Sequence, residues 1–401
     1  MLSLPREMTR AVTCISSLSP LQRVMLQDSW SASGEGHHVE QVEIIFAPGA
    51  VRARVPTAWE EIVAKTEALQ ISFPHDLDPS GEIEFVSTVA PATQLERLPD
   101  SWDSWLLADR HLPLLHPHQV PWRAVYWPSE GRFLWTLHHA LLDGRSITAV
   151  LRSLIARLAG GEAAELTLSK WHPPSPAAIK LAGKMFQKDF MPSLPPLYLT
   201  KDPCDGQALR HLGAVFRENL VKIAAELEVT AATILVWAWG QALAESLGND
   251  SIIVEQVRSG PPQPGTAGFT MHTLPLVIPR ASDADTGRHL RELRARLLAL
   301  RRIEGVSPDD FPPGVFPDLD HAGSSVIMVE HGTLRHLIGG GEMVESVQLH
   351  ENQGEFLMAT AHILPDLRLE VGGPGRHGLL DAWVRVLEGL VLSQRTLTAW
   401  R

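Results

Sequence analysis

Cysteine is nearly absent from this chain of 401 residues: Cys14 and Cys204 are its only two. They show no C-x-x-C spacing, so neither a disulfide framework nor a thiolate metal centre is indicated. Long apolar runs are lacking too, and none approaches the roughly 18 residues that mark a membrane-spanning helix. The opening Met1-Leu-Ser-Leu-Pro-Arg-Glu7 carries an early acid and none of the apolar core of a secretion signal. Basic residues are outnumbered, 35 Lys and Arg against 46 Asp and Glu, and the net charge of −11 argues against a broad nucleic-acid surface. The expectation is a cytoplasmic protein with no membrane or nucleic-acid partner. Several catalytic signatures are missing as well: there is no G-x-S-x-G elbow, no P-loop and no H-E-x-x-H. Gly339-Gly-Gly341 lacks a dinucleotide-binding spacing and reads as a hairpin turn, and no glutamate closes a calcium loop on Asp283 and Asp285.

What is present is an ordinary globular composition, 44% apolar and 20% charged, over a length suited to two domains or one large one. The most informative stretch is Leu134-Trp-Thr-Leu-His-His-Ala-Leu-Leu-Asp-Gly-Arg-Ser146. Arg132 to His138 reads as a strand of aromatic and β-branched residues, and Asp143-Gly144 as a turn. Ile147, Val150, Leu151, Leu154, Ile155 and Leu158 then recur at helical spacing until Gly160-Gly161. Successive strand residues face opposite sides, so His138 and His139 cannot share one environment. One is expected to be packed and the other to project into a cleft as a neutral imidazole ready to act as a base. An isolated histidine pair is more often structural, so the rest of the chain has to carry the case.

Leu18 to Leu26 opens a helix with Ser19 as its cap and Pro20 at its first position. Val39 to Phe46 alternates as a strand, Trp59 to Leu69 reads as a helix packing on it, and Ile83 to Val89 as a further strand. The Pro- and Trp-rich span from Pro91 to Pro128 reads as irregular, with His111, His116 and His118 as loop residues, since no metal-ligand spacing joins them. Residues 1–175 form an N-terminal lobe, the Pro-rich 176–212 an extended connector, and 213–401 a C-terminal lobe. In that lobe Glu218 to Leu227 and Ala231 to Leu247 are helices, Thr230 capping the second and Gly248 ending it. Ser251 to Val257 and Phe269 to Leu276 follow as strands. Arg288 to Arg302 is an amphipathic helix whose arginines are either a solvated face or a basic patch for an acidic partner. Strands over Ser324–Val329, Glu355–Ile363 and Leu367–Val371 and a helix over Leu379–Leu392 complete the chain.

The pattern His-His-x-x-x-Asp-Gly, here His138, His139, Asp143 and Gly144, resembles the active-site signature of the condensation-domain acyltransferases of nonribosomal peptide synthesis. Their wider superfamily includes chloramphenicol acetyltransferase, plant alcohol acyltransferases and wax-ester synthases. Three further segments add to the resemblance. Ser19, Gln22 and Arg23 match the opening motif with a spacing tighter by one residue, and Glu67, Leu69 and Phe73 match the second. Gly268 to Leu276 matches a later motif, with His272 where an Asn is usual. Gln70 replaces the arginine that in the family pairs with the motif aspartate, leaving Lys65 and Arg258 as candidates to hold Asp143. The Asp-Phe-Gly-Trp-Gly motif of the plant enzymes is absent.

The resemblance implies an α/β (α+β) fold of two chloramphenicol acetyltransferase-like lobes in a V with a central tunnel, and a free-standing condensation domain. His139, His138, Asp143 and Gly144 are the implied catalytic residues; Ser146, Phe269, His272 and Thr273 are candidates for binding substrate, and Arg291 and Arg294 for carrier docking. No metal and no resident cofactor are implied. The implied substrate is a thioester on phosphopantetheine, borne by an acyl or peptidyl carrier protein or by coenzyme A. The acceptor is a small amine or alcohol, and the product an amide or ester. Beside the carrier-dependent acyltransferase stand a coenzyme A-dependent O-acyltransferase and a non-catalytic carrier-binding module. The intact signature weighs against the module, and the missing plant motif against the O-acyltransferase.

Overall fold

The computed structural model describes residues 14–32, 34–73, 82–86, 89, 92–189, 207–260, 263–281, 286–307, 310–311, 325–352, 357–373 and 375–398. Cys204, the prolines from Pro192 to Pro203, and Asp283 and Asp285 lie outside the described residues. Among the described residues no helix is long and apolar enough to cross a membrane.

The chain divides into two compact units, each assembled from three separated stretches rather than the single contiguous span per lobe expected from the sequence. The first holds Met1–His172, Pro261–Met271 and Leu334–Gln353. In chain order it begins with β1 (Cys14–Ser17), α1 (Pro20–Ser31), β2 (Val39–Phe46), α2 (Ala50–Lys65), β3 (Ile71–Ser72) and β4 (Glu82–Phe85). It continues with β5 (Thr93–Gln94), α3 (Trp102–Arg110), β6 (Trp122–Trp127), β7 (Arg132–His138), α4 (Gly144–Leu158) and β8 (Thr167–Leu168). The chain enters the second unit with α5 (Pro176–Asp189), β9 (Gln207–Leu212), α6 (Gly213–Glu226), α7 (Ala231–Leu247) and β10 (Ser251–Ser259). It returns to the first for β11 (Thr266–Ala267), then gives the second β12 (Met271–Pro279), α8 (Thr286–Leu300) and β13 (Ser325–Gly332). A last return supplies α9 (Leu334–Ile338) and β14 (Val344–Asn352) before β15 (Leu357–Leu364), β16 (Leu367–Gly372) and α10 (Arg376–Thr398) finish the second unit.

The first unit is built on a five-stranded sheet of order β14-β2-β7-β6-β5. Strands β2 and β7 pair antiparallel with Val42 opposite Trp135 and Ile44 opposite Phe133, so these side chains share one face. That face packs on α1, α2 and α4. Trp59 of α2 sits at its centre, its ring 5.0 Å from that of Phe133, 5.2 Å from Trp135 and 5.7 Å from Trp122. The opposite face carries Leu134 and Trp127 beneath Leu106 of α3, together with a buried polar knot around Asp109. Asp109 accepts from Gln41 Nε2 at 2.9 Å, Thr136 Oγ1 at 2.6 Å and Arg123 Nε at 2.7 Å. Helix α3 and strand β6 replace the irregular stretch expected over 91–128. Ser101 caps α3, and β6 alternates Trp122, Ala124 and Tyr126 inward. The prolines at 113, 117, 121 and 128 mask both signals.

Helix α2 starts at Ala50 rather than Trp59 and runs through Pro56. Proline lacks the N–H that would bond the carbonyl four residues back. Here that carbonyl, on Arg52, accepts the hydroxyl of Tyr126 at 2.8 Å, so the interruption leaves no buried acceptor unpaired. Residues 176–189 are the helix α5 rather than an extended connector: Pro176 occupies the first helical position, which needs no N–H, and Ala182 and Phe186 are buried in the second unit. Gly339, Gly340 and Gly341, with φ of 72°, 95° and 50°, join α9 to β14 and are not a hairpin turn.

The second unit's sheet has the order β12-β10-β13-β15-β16-β9, parallel from β10 through β15 and antiparallel from β15 to β9. Helix α7 is buried from Thr233 to Ala244. Trp239 Nε1 donates to Ser325 Oγ at 2.9 Å, and Trp383 Nε1 of α10 to the Leu235 carbonyl at 3.1 Å. Gly240 lies mid-helix, where alanine is intrinsically better by about 1 kcal/mol. A Cβ there would stand 2.6–2.9 Å from three atoms of the fully buried Ile278, its own Cβ included, so the neighbour cannot swing aside. Overpacking of this kind costs about 1–3 kcal/mol and outweighs the propensity gain. Gly240→Ala is therefore expected to lower the urea midpoint, by about 1 kcal/mol of stability at an unchanged m-value. An equal or higher midpoint would show that the contact is not limiting.

Candidate active site

The His-His segment is anchored before either imidazole makes a contact. Strand β7 ends at His138, whose N–H bonds the Pro121 carbonyl at 2.9 Å, and the His139 N–H bonds the His38 carbonyl at 2.7 Å. The start of α1 holds the next residue. Gln22 Oε1 accepts the Ser19 N–H at 2.9 Å while its Nε2 donates to the Ala140 carbonyl at 2.8 Å. One glutamine thus closes the helix cap and fixes the turn.

The two imidazoles have different surroundings, as strand alternation requires. His138 is 1% exposed, beside the rings of Phe73 and His38. Its Nδ1 accepts the Ala140 N–H at 3.2 Å, so the proton sits on Nε2, which donates to Ser29 Oγ at 2.9 Å; Ser29 passes its own hydrogen to the His37 carbonyl. This network suits a neutral ring. Burial pushes the His138 pKa well below its usual range, with the charges of His38 and His139 adding to the effect. His38 is held down to about 4 by burial, against the opposing pull of Asp28 at 2.8 Å and with the charge on His139 lowering it further.

His139 is 9% exposed, and its charge state reverses the expectation of a neutral base. Nδ1 lies 2.9 Å from Glu40 Oε1 of β2 and 3.2 Å from the Leu142 carbonyl; facing two acceptors, it carries a proton. Burial disfavours a charged ring, but the Glu40 carboxylate outweighs it, with Glu351 of β14 and Asp143 adding, and the pKa is raised to about 9. At neutral pH His139 is therefore an imidazolium with Nε2–H left to work. Glu40 is not marked by the sequence alone; it stands out only once pairing with β7 shows which face of β2, that of Val42, Ile44 and Phe46, is turned to the core.

Asp143 caps α4 by accepting the Ser146 N–H at 2.9 Å, and its other oxygen accepts the Thr270 N–H at 3.0 Å and the Thr270 hydroxyl at 2.8 Å. Neither expected cation replaces the family's arginine beside it. Lys65 is bound to the Ala163 carbonyl and Arg258 to Glu304, while Gln70 caps the end of α2 through the carbonyls of Val63 and Ala64. Gly144, exposed, is the first residue of α4. The Ser146 hydroxyl accepts the Gly268 N–H at 3.0 Å, which places it in the scaffold. Phe269, 3% exposed, packs edge-on against His139 with ring centres 5.8 Å apart. His138, His139, Asp143, Gly144, Ser146 and Phe269 thus come together in the first unit.

The remaining candidates belong to the second unit. His272 and Thr273 are half-buried on β12, in the second unit. On α8 Arg291 is exposed, whereas Arg294 is half-buried and bonded to the Glu228 carbonyl. His111, His116 and His118 are exposed between α3 and β6. Among the described residues no group of three or more His, Cys, Asp or Glu side chains is arranged to hold a metal ion.

No protein-family model matches the chain. Curated relatives are nonribosomal peptide synthetases. One of the linear gramicidin synthase proteins of Brevibacillus parabrevis is 25% identical over 330 residues, 74% of this chain and 6% of that protein. Nonribosomal peptide synthetase sirP of Leptosphaeria maculans is 28% identical over 284 residues, 63% of this chain and 13% of that protein. The chain therefore spans only a small part of each. Similar solved structures cover nearly all of it. The condensation domain of the monacolin K polyketide synthase MokA does so at TM-score 0.73, 13% identity and 96% and 98% coverage of the two chains. The first condensation domain of the calcium-dependent antibiotic synthetase, in complex with a substrate analogue, does so at 0.73, 16%, and 95% and 97%. The fold is that of the condensation domains.

Two expectations follow from the site. Between about pH 4 and 6.5 the unfolded chain protonates His38 and His138 while the folded one does not, so stability rises with pH. Between about 6.5 and 9 the folded chain keeps protons on His139 and on His362, whose burial Glu330 and Glu370 outweigh, so stability falls as pH rises. The melting temperature should therefore peak near pH 6.5 as far as these groups decide it, and His139→Gln should flatten the alkaline side; an unflattened curve would deny His139 its raised pKa. Separately, Asp143→Ala removes a helix cap and the acceptor for two Thr270 donors, a loss of about 2–4 kcal/mol. Asp143→Asn keeps the cap but sets an NH2 against the Thr270 N–H, and should fall between. An Asp143→Ala variant that unfolds in urea like the parent would show that the carboxylate is not a brace.

Proposed function

We propose that the chain is a condensation-type acyltransferase that moves an acyl or aminoacyl group from a carrier-protein phosphopantetheine thioester to an amine, forming an amide in natural-product biosynthesis. The observation that carries this is the 2.9 Å contact of His139 Nδ1 with Glu40 just past the end of β7, inside an intact His-His-x-x-x-Asp-Gly signature on a condensation-domain fold. A thioester is already activated, so the protein has to align a nucleophile and manage one proton. The amine nitrogen forms the C–N bond as the carbonyl oxygen gathers negative charge. Collapse breaks the C–S bond, and the proton lost by nitrogen ends on the leaving sulfur. Nε2–H of His139 is the donor available to the developing charge, in a buried setting where such a bond counts for more than in water.

The charge on His139 also favours the amine over a hydroxyl. An imidazolium cannot take a proton, so the acceptor must be nucleophilic without help, which a free amine is and an alcohol is not. A coenzyme A-dependent transfer to an alcohol would need the neutral ring, and a non-catalytic binding module would have no use for a buried ion pair on that histidine. The exposed arginines of α8, Arg291 among them, are the basic surface offered to an acidic carrier protein.

The test uses octanoyl and leucyl thioesters of N-acetylcysteamine as donors and amino-acid amides as acceptors. His139→Ala should lower turnover by about 10²–10⁴-fold and, because it strips the buried Glu40 carboxylate of its cation, lower the melting temperature as well, whereas His138→Ala should cost stability with the smaller loss of turnover. A fully active His139→Ala variant would sink the catalytic assignment.

A further inference from the structure

We propose that Glu40 is the positioning carboxylate of the site: it fixes the His139 ring through Nδ1–H and thereby makes Nε2–H the working group. This deepens the amide-transfer function above and rests on it for the meaning of the working group, though not for the pairing itself. Three observations carry it. Glu40 is 4% exposed, and its Oε1 stands 2.9 Å from Nδ1. Its other oxygen, Oε2, is buried without a hydrogen-bond partner among the described residues, so the carboxylate's charge is answered chiefly by the imidazole. Finally, β2 and β14 pair with Glu40 directly opposite Glu351. Like charges facing each other across a ladder repel, and a buried acid facing another acid persists where a cation lies between their demands.

The groups that face the ring come from every side. Glu40 on β2, Glu351 on β14 and Asp143 at the start of α4 favour its charge, while the neighbouring His38 and His138 are themselves pushed toward neutrality by it. Of these, Glu40 combines a direct contact with the ring and the leading electrostatic pull, and burial works against the charge throughout. Take away the Glu40 charge, and burial should carry the ring toward neutrality at physiological pH. The side chain's shape is not what matters. A glutamine at this position would still present an oxygen to Nδ1–H, so Glu40→Gln removes the charge while keeping the hydrogen bond.

The experiment is a histidine proton NMR titration of Glu40→Gln and Glu40→Asp beside the parent, with the His139 resonance assigned by its loss in His139→Gln. The parent His139 should titrate near pH 9 and Glu40→Gln below about 6.5, with Glu40→Asp intermediate; an unshifted titration in Glu40→Gln would overturn the proposal. With the thioester donors above, and rates referred to the unprotonated amine, the parent rate should hold to about pH 9 and then fall, whereas Glu40→Gln should lose at least about tenfold at pH 7.5 and recover as the pH is lowered. A Glu40→Gln variant that is faster at about pH 7.5 would also overturn it, because the neutral ring would then be the working form. The titration needs no substrate. A shifted titration in a parent that acylates no amine would uphold the pairing and remove the amide-transfer function instead, so the two failures are distinguishable.

Discussion

A charged imidazole and a charged carboxylate can be buried together only if each is the other's solvent. That constraint governs the first unit around Glu40 and His139. It requires β2 and β7 to meet in one register, with the residues before His139 locked to those after Glu40. It requires the turn after β7 to be held from several directions, which Gln22, the His38 carbonyl and Asp143 provide. It also requires neighbouring histidines to give up their own charge, and His38 and His138 do. The apolar packing of Trp59 against β7 supplies the rigidity within which a misplacement of an ångström would be felt.

Much of this is legible in the sequence, and the boundary is instructive. Strands β2 and β7 and helix α7 follow the expected residues because alternation and helical spacing are local signals. The capping pair Ser19 and Gln22 is equally readable, since a box needs only four consecutive residues. Glu40 is not, because an acid in an alternating strand is ordinary until the strand beside it is known. Strand β14 is hidden for a related reason. Val344-Glu-Ser-Val-Gln-Leu-His-Glu-Asn is polar enough to pass for a loop, and it is a strand because β2 offers it an edge. Helix α5 is obscured by the prolines before it, although a proline at the first helical position is permissive rather than forbidding.

Asp143 illustrates a different limit. Gln70, standing where the resembling motif has an arginine, points to Lys65 or Arg258 as a substitute cation, yet Lys65 is bonded to the Ala163 carbonyl and Arg258 to Glu304. A carboxylate can be satisfied by donors from the backbone and a hydroxyl as well as by a positive charge, and the N-terminus of α4 with Thr270 supplies three. The same carboxylate thereby ties the 268–270 segment to the start of α4, and that segment brings Phe269 against His139.

The interleaving of the two units sets terms for how the molecule is made. Strand β14 pairs with β2 along its whole length, and Glu351 reaches its place opposite Glu40 only after about three hundred intervening residues have been synthesised. Closing so long a span is entropically modest but slow to find, because contacts distant in sequence are the last to reward the chain. During translation the five-stranded sheet therefore has a raw edge at β2 until β14 is made. The last strand to join thus brings Glu351 up against Glu40, and the sheet closes only where the imidazole between them answers both acids.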